Sequence, residues 1–138
     1  MDTNLSKMHT FLQEHHTLAL STCKDSQSFT CTLFYVYDEV NNRFIVASDE
    51  KTQHIQNVLL NEKVSGSVHL ETDVVGKIQG IQFLGRMQKS EDKKLYFKKF
   101  PYALAMNPTL WSIEVDFFKF TDNRLGFGKK LTWTREEV

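Results

Sequence analysis

The chain has 138 residues, a length that suits one domain with a core of its own. Its 17 lysines and arginines balance 17 aspartates and glutamates, so the basic excess of a dedicated nucleic-acid binder is missing. Two cysteines without a Cys-x-x-Cys exclude a disulfide scaffold and a zinc ribbon, and no apolar run nears the ~18–20 residues of a membrane span. Without an apolar leader at its start, the chain is expected to be soluble and cytoplasmic, with no membrane partner.

Leu5, Met8, Phe11 and Leu12 recur at helical spacing, which predicts an amphipathic helix over about 4–14, with Thr3 or Asn4 as its cap. Residues 17–23 are β-like, Asp25-Ser26-Gln27 reads as a turn, and 29–37 alternate two full faces. Asn41-Asn42 suits a tight turn because Asn tolerates positive φ, and 43–48 return as a strand. Ser48 or Asp49 is expected to cap a second helix over about 51–60, with Ile55, Val58 and Leu59 as its buried stripe. Two strands follow, 63–70 and 77–89, with Gly80 and Gly85 marking bends or close approaches in the second. Ser90 is expected to cap a third helix that Pro101 stops. A long strand over 110–121 carries Trp111, Ile113, Val115 and Phe117 on one face, then Phe118 and Phe120 on the other, so a bulge is expected near Phe117. A last strand spans 126–134. About seven strands in hairpin order with three short helices predict a mainly β, α+β fold: an antiparallel barrel or sandwich with peripheral helices.

The segment Ala47-Ser48-Asp49-Glu50-Lys51-Thr52-Gln53-His54 lies where a strand gives way to a helix. Free amide groups and the helix dipole make such a junction suited to an anion; Ser48 and Thr52 add hydroxyls, Lys51 a positive charge and His54 a further donor. An ordinary helix cap with solvated charges explains the same residues, and Asp49 and Glu50 repel a phosphate unless they point away. Lys93-Lys94-Leu95-Tyr96-Phe97-Lys98-Lys99-Phe100 interleaves bases with aromatics, as single-strand nucleic-acid sites do. On a helix its lysines form a solvated face, with Leu95 and Phe97 or Phe100 in the core, and zero net charge favours that reading. Cys23 and Cys31 flank a turn almost symmetrically, which predicts reduced cross-strand neighbours. No His-x-x-x-His pair occurs among the five histidines, so no metal site is expected. Gly126-Phe127-Gly128-Lys129-Lys130 lacks the third Gly of a dinucleotide fingerprint and the Ser or Thr of a Walker loop. No Ser/His/Asp set or carboxylate pair is defensible, so catalytic residues remain unassigned and any chemistry is expected to be a cofactor's.

Four stretches carry a resemblance over roughly residues 5–135. They are Phe34-Tyr35 with Asp38; Glu50-Lys51-Thr52-x-His54; Ile81-Gln82-Phe83-x-Gly85; and Phe120-Thr121-Asp122-Asn123-x-Leu125-Gly126-Phe127-Gly128-Lys129-Lys130 followed by Trp133. In these the chain resembles the FMN-binding split barrels related to pyridoxamine 5′-phosphate oxidase, and within them a small bacterial subgroup. The resemblance implies a split β-barrel of six to seven strands, a homodimer with FMN at the subunit interface, and flavin-dependent oxidoreduction of a small molecule it does not name. It implies that Ser48, Lys51, Thr52 and His54 hold the FMN phosphate, that Thr32 lies near the flavin ring and that Gln82 bonds the ring's polar edge. Trp111 and Lys129 would reach the flavin of the partner subunit. The oxidase proper carries an Arg-x-Val-Leu-Leu-Lys motif on its second strand. Here that stretch is Thr30-Cys31-Thr32-Leu33-Phe34-Tyr35, so one phosphate contact is missing and vitamin B6 oxidation is disfavoured. A deazaflavin would suit the same phosphate site. Haem-handling relatives share the architecture, so a non-catalytic flavin- or haem-binding module is the alternative, with His54 or His69 as axial ligand.

Overall fold

The computed structural model describes residues 3–136. Helix α1, Thr3–Glu14, buries the expected Leu5, Met8, Phe11 and Leu12 together with His9. Strands β1, Thr17–Lys24, and β2, Gln27–Asp38, are joined by Asp25 and Ser26, both with positive φ (50° and 63°), the twist that a two-residue hairpin needs. The turn into β3, Arg43–Ala47, places Asn42 at φ 50°. Asp38 organises it: one carboxylate oxygen accepts the Val40 and Asn41 amides, while Arg43 donates to the other at 2.9 Å. Then follow α2, Gln53–Leu60; β4, Lys63–His69; β5, Gln79–Ser90; α3, Lys94–Lys99; β6, Leu110–Asp122; and β7, Lys130–Thr134.

All strand pairings are antiparallel, in the order β3-β2-β1-β4-β5-β6-β7. A further pairing of β3 with β6 closes the first six strands into a barrel, and β7 adds to the free half of β6. Strand β6 serves two partners because it changes direction at a bulge. Leu84 faces Phe117 but Gly85 faces Val115, which leaves Asp116 as the extra residue, next to the predicted position. Arg86 holds Asp116 there through contacts of 2.9–3.3 Å. At Gly85 a Cβ would press on the Glu114 carbonyl, and at Gly66 on the Ala19 carbonyl and the Phe83 ring, so neither position has room for a side chain.

The barrel is filled by Leu18, Leu20, Tyr35, Phe44, Ile81, Phe83, Ile113 and Phe118, with α1 packed against this core through Met8 and Leu12. A second cluster joins Val36, Ile45 and Leu110 to Tyr96 and Phe100 from the α3 segment.

Five local expectations are corrected. Leu59, expected in the buried stripe of α2, is 61% exposed; Ile55 and Val58 bury that face with His54 and Asn57. Helix α2 begins at Gln53, because Asp49 closes a turn of its own: its side chain accepts the Lys51 amide at 2.8 Å and its carbonyl the Thr52 amide at 3.1 Å. Helix α3 begins at Lys94, because Ser90 ends β5 and spends its hydroxyl on the Asp92 amide. Strand β7 begins at Lys130; before it, Gly126 (φ 138°) and Gly128 (φ 75°) shape a turn behind the short 3-10 segment Asn123–Leu125. Cys31 pairs in register with Leu20, and Cys23 with Ser28. The two thiols are therefore out of step on opposite faces of the hairpin, not cross-strand neighbours.

The lysine–aromatic stretch turns its aromatics inward: Tyr96 and Phe100 are buried, while Lys93, Lys94 and Lys98 are exposed. Lys99 is not a solvated charge. Its ammonium donates to the Tyr35 carbonyl at 2.8 Å and lies 4.9 Å from the Tyr35 ring centre, and burial pushes its pKa below the usual lysine value. Tying α3 to β2 in this way removes one of the bases that a nucleic-acid surface would need.

Candidate functional site

Strand β3 ends at Ala47, and Thr109, just before the neighbouring β6, together with Trp111 within it holds the next residue at its amide and its carbonyl. The Ser48 amide donates to the Thr109 carbonyl at 3.0 Å, and the Trp111 indole N–H donates to the Ser48 carbonyl at 2.9 Å. With its backbone fixed, Ser48 turns its hydroxyl onto His54, 2.5 Å from Nε2; the Thr52 hydroxyl lies 3.3 Å from the same nitrogen. His54 is 8% exposed, and burial lowers its pKa below the ordinary histidine value, so the ring is neutral at pH 7. Thr52 stands at the N-cap of α2 but its side chain does not cap the helix, donating instead to the Asp49 carbonyl at 2.8 Å.

A cleft of about 640 Å³ opens in front of Ser48. Ser48, Asp49, Glu50 and Lys51 form one wall, and Met106, Asn107, Pro108 and Thr109 the other. The two acids that oppose an anion are both engaged elsewhere. Asp49 is turned into its own loop, and Glu50 meets Lys89 of β5 at 3.3 Å. Lys51 is exposed on the rim. The opposite wall escaped sequence reading. Asn107-Pro108 signals a turn, but nothing local says which strand end that turn faces.

Thr32 and Gln82 stand on a different part of the surface. Register aligns Thr32, Ala19, Ser67, Gln82, Lys119 and Thr132 in one row across six strands, on the outer face of the barrel. The row crosses a shallow trough of about 620 Å³ lined by small and hydroxyl side chains, among them Ser21, Thr30, Ser65 and Ser67. Phe34 and Leu84 project from the same face and are exposed. Thr32 is the member of the row nearest the first cleft, since β2 pairs Tyr35 with Val46 just before β3 ends.

Two of the sequence candidates lie elsewhere. Trp111 is 2% exposed and packed in its own core, so it acts on the site by holding Ser48 and not as a surface ring offered to another chain. Lys129 sits in the exposed turn before β7, where its carbonyl accepts the Asp122 amide at 3.2 Å, whereas Ser48 adjoins the Leu110 end of β6. Twelve residues of strand separate those ends, roughly 40 Å measured along β6 and less across its bend at Asp116. One chain therefore assembles Ser48, Thr52 and His54 with Lys51 nearby, places Thr32 and Gln82 on an adjoining face, and leaves Lys129 far off. His69 is exposed at the end of β4. Among the described residues no three His, Cys, Asp or Glu side chains stand together to hold a metal. No helix among them is long and apolar enough to cross a membrane.

A six-stranded antiparallel barrel closed by β3 and β6, with an outer face left open, is a split barrel, and solved structures share it. A haem-binding protein from Mycobacterium smegmatis superposes with a TM-score of 0.78 over 97% of this chain and 59% of its own, at 11% identity. An FAD-binding protein from Mesorhizobium loti gives 0.66 over 82% and 90%, at 18% identity. A Listeria innocua protein named for pyridoxamine 5′-phosphate oxidase gives 0.67 over 84% and 96%, at 12% identity. No family model matches the sequence. Whole-length relatives do: the YhbP protein of Salmonella arizonae is 34% identical over 142 residues, covering 99% of this chain and 96% of that protein. A Klebsiella pneumoniae relative is 36% identical over 138 residues, covering 96% and 94%. The chain belongs to the UPF0306 family, to which both relatives are assigned.

Proposed function

We propose that the protein binds FMN as a homodimer and serves as a flavin-dependent oxidoreductase acting on a small molecule. The observation that carries this reading is the cleft at the β3–α2 junction, where Ser48 and Lys51 share a wall with Asp49, bonded to the Lys51 amide, and Glu50, paired with Lys89. Ser48 and Lys51 would hold the phosphate, with Thr52 bracing the loop behind them through the Asp49 carbonyl and the uncapped start of α2 adding its dipole. The row from Thr32 to Gln82 would receive the flavin ring, Gln82 offering both a donor and an acceptor to its polar edge. Bound flavin supplies the hydride or electron transfer, and the chain supplies orientation and exclusion of water. The hydroxyl-lined trough with exposed Phe34 and Leu84 is the face a second copy would cover, and that copy would bring Lys129, which one chain leaves at the far end of β6 from Ser48. The haem-binding and FAD-binding neighbours support a cofactor of flavin or haem type for this fold. Flavin is favoured over haem because His54, one of the two candidate axial ligands, is spent on Ser48, and the other, His69, is exposed at the end of β4, away from the cleft-lining residues.

The purified protein is expected to show flavin absorption bands, to release FMN on denaturation and to sediment above its 16.1 kDa chain mass. A colourless protein that takes up haemin and no FMN would sink the flavin reading. A monomer at micromolar concentration in the presence of FMN would remove the dimer. Lys51→Ala is expected to weaken FMN binding by about 1.5–3 kcal/mol, the worth of a charge-assisted contact, as read by fluorescence titration. Unchanged affinity would place the phosphate elsewhere.

A further inference from the structure

His54 does not line the cleft; it stands behind Ser48, which does. A serine hydroxyl has one proton, so at this short contact the direction of the bond matters. If His54 Nε2 carries no proton, Ser48 donates to it and turns only lone pairs towards the cleft, which repels an anion. If Nε2 is protonated, in the neutral Nε2–H tautomer or in the imidazolium, it donates to Ser48 Oγ and frees the hydroxyl proton for the cleft; a bound anion favours the imidazolium, whose charge it opposes. Thr52 cannot serve as a substitute donor, because its hydroxyl is given to the Asp49 carbonyl.

We infer that His54 is the positioning residue that sets the polarity of Ser48, and that anion binding in the cleft is coupled to uptake of one proton by His54. The inference rests on the reading of the cleft as a phosphate site. The charged groups near the ring are few: Asp49, held in its turn; Glu50, paired with Lys89 of β5; and Lys51 on the rim. Helix α2 packs on β1 and β2. The titratable groups that β2 presents towards the barrel are Cys31, Tyr35 and Tyr37, whose pKa values burial raises, so all three are neutral at pH 7; the same face of β1 carries Lys24, exposed at the end of its strand and of the wrong sign to be a countercharge. None of these already supplies His54 with a fixed countercharge, so a bound phosphate would be the principal new negative charge beside it. Burial keeps the free ring neutral, and the phosphate charge opposes that effect. Affinity therefore rises as pH falls through the window between the free and the bound pKa of His54.

The test is FMN titration by fluorescence quenching between about pH 6 and 8.5, on wild type and on His54→Gln, whose amide donates at every pH. The wild-type Kd is expected to rise with pH by up to about tenfold per unit, the limit for one linked proton. The His54→Gln variant is expected to keep binding with a flatter profile. Because both proteins meet the same FMN, ionisation of the ligand's own phosphate cancels in the comparison. Calorimetry in two buffers of different ionisation heat should show proton uptake by wild type in excess of the variant. The wild-type His54 ring resonance gives a readout that needs no variant: its titration midpoint should move up when FMN is added. Identical pH profiles in the two proteins, or an unmoved His54 midpoint, overturn the inference while leaving flavin binding intact. Failure of wild type to bind FMN at every pH overturns the flavin reading and this inference with it.

Discussion

Phe44→Ala is expected to cost about 3–5 kcal/mol of unfolding free energy, a large share of the ~5–15 kcal/mol typical of a domain. Phe44 is fully buried and is the hub of the barrel's aromatic core. Its ring centre lies 5.1 Å from Tyr35, 4.9 Å from Tyr37, 4.8 Å from Phe83 and 6.2 Å from Phe118. The neighbours cannot readily collapse into the space it would leave. Tyr35 is anchored by its hydroxyl to the Leu12 carbonyl at 2.7 Å, and Tyr37 to Asn42 at 3.0 Å. Phe83 lies against Gly66, where a strand backbone blocks its retreat. A cavity that its surroundings cannot fill is the costly kind. Denaturant unfolding should show a lower midpoint with the slope retained. A loss under about 1 kcal/mol would mean that the hub can repack after all. Phe44→Leu keeps part of the volume and is expected to lose distinctly less.

The strands and their faces were legible because they depend on neighbours in sequence. The alternation of Leu18 and Leu20, and the Asp25 and Asn42 turns, state their roles within a few residues. Barrel closure was not legible in the same way. Nothing in Arg43–Ala47 says that its second partner begins at Leu110 and not in one of the other strands, since that pairing spans more than 60 residues of chain. The helix starts were misplaced for a different reason. Asp49 and Ser90 are residue types that cap helices, and both spend that capacity on turns one step earlier.

The site divides along the same line. Ser48, Lys51, Thr52 and His54 fall within seven consecutive residues, so a strand-to-helix junction brings them together without help from the rest of the fold. Thr32 and Gln82 were each legible as members of an outer face. Their alignment in one row depends on the registers of β1 and β4 between them. The wall from Met106 to Thr109 and the Trp111 anchor reach the cleft only through the β3–β6 pairing, the feature that sequence reading lacked.

That dependence makes Trp111 the position where stability and binding can be separated. Trp111→Ala removes a buried indole and is expected to cost about 3–5 kcal/mol, through the lost volume and through an unmet Ser48 carbonyl. Trp111→Phe keeps most of the ring and removes only the donor, so it should cost about 0.5–1.5 kcal/mol. Its effect on FMN binding should be out of proportion to that small loss. The Ser48 backbone is held at two points, by the Thr109 carbonyl just before β6 and, within that strand, by the Trp111 indole. Releasing it leaves Ser48 pivoting on the Thr109 bond, and the hydroxyl then drifts from both His54 and the cleft. A Trp111→Phe protein that stays folded but binds FMN several-fold more weakly is the expected result, read by thermal unfolding and FMN titration on the same preparation. Wild-type affinity in Trp111→Phe would show that the β3 terminus is positioned without the indole. Equal losses in stability and affinity would mean that the contact serves the core alone.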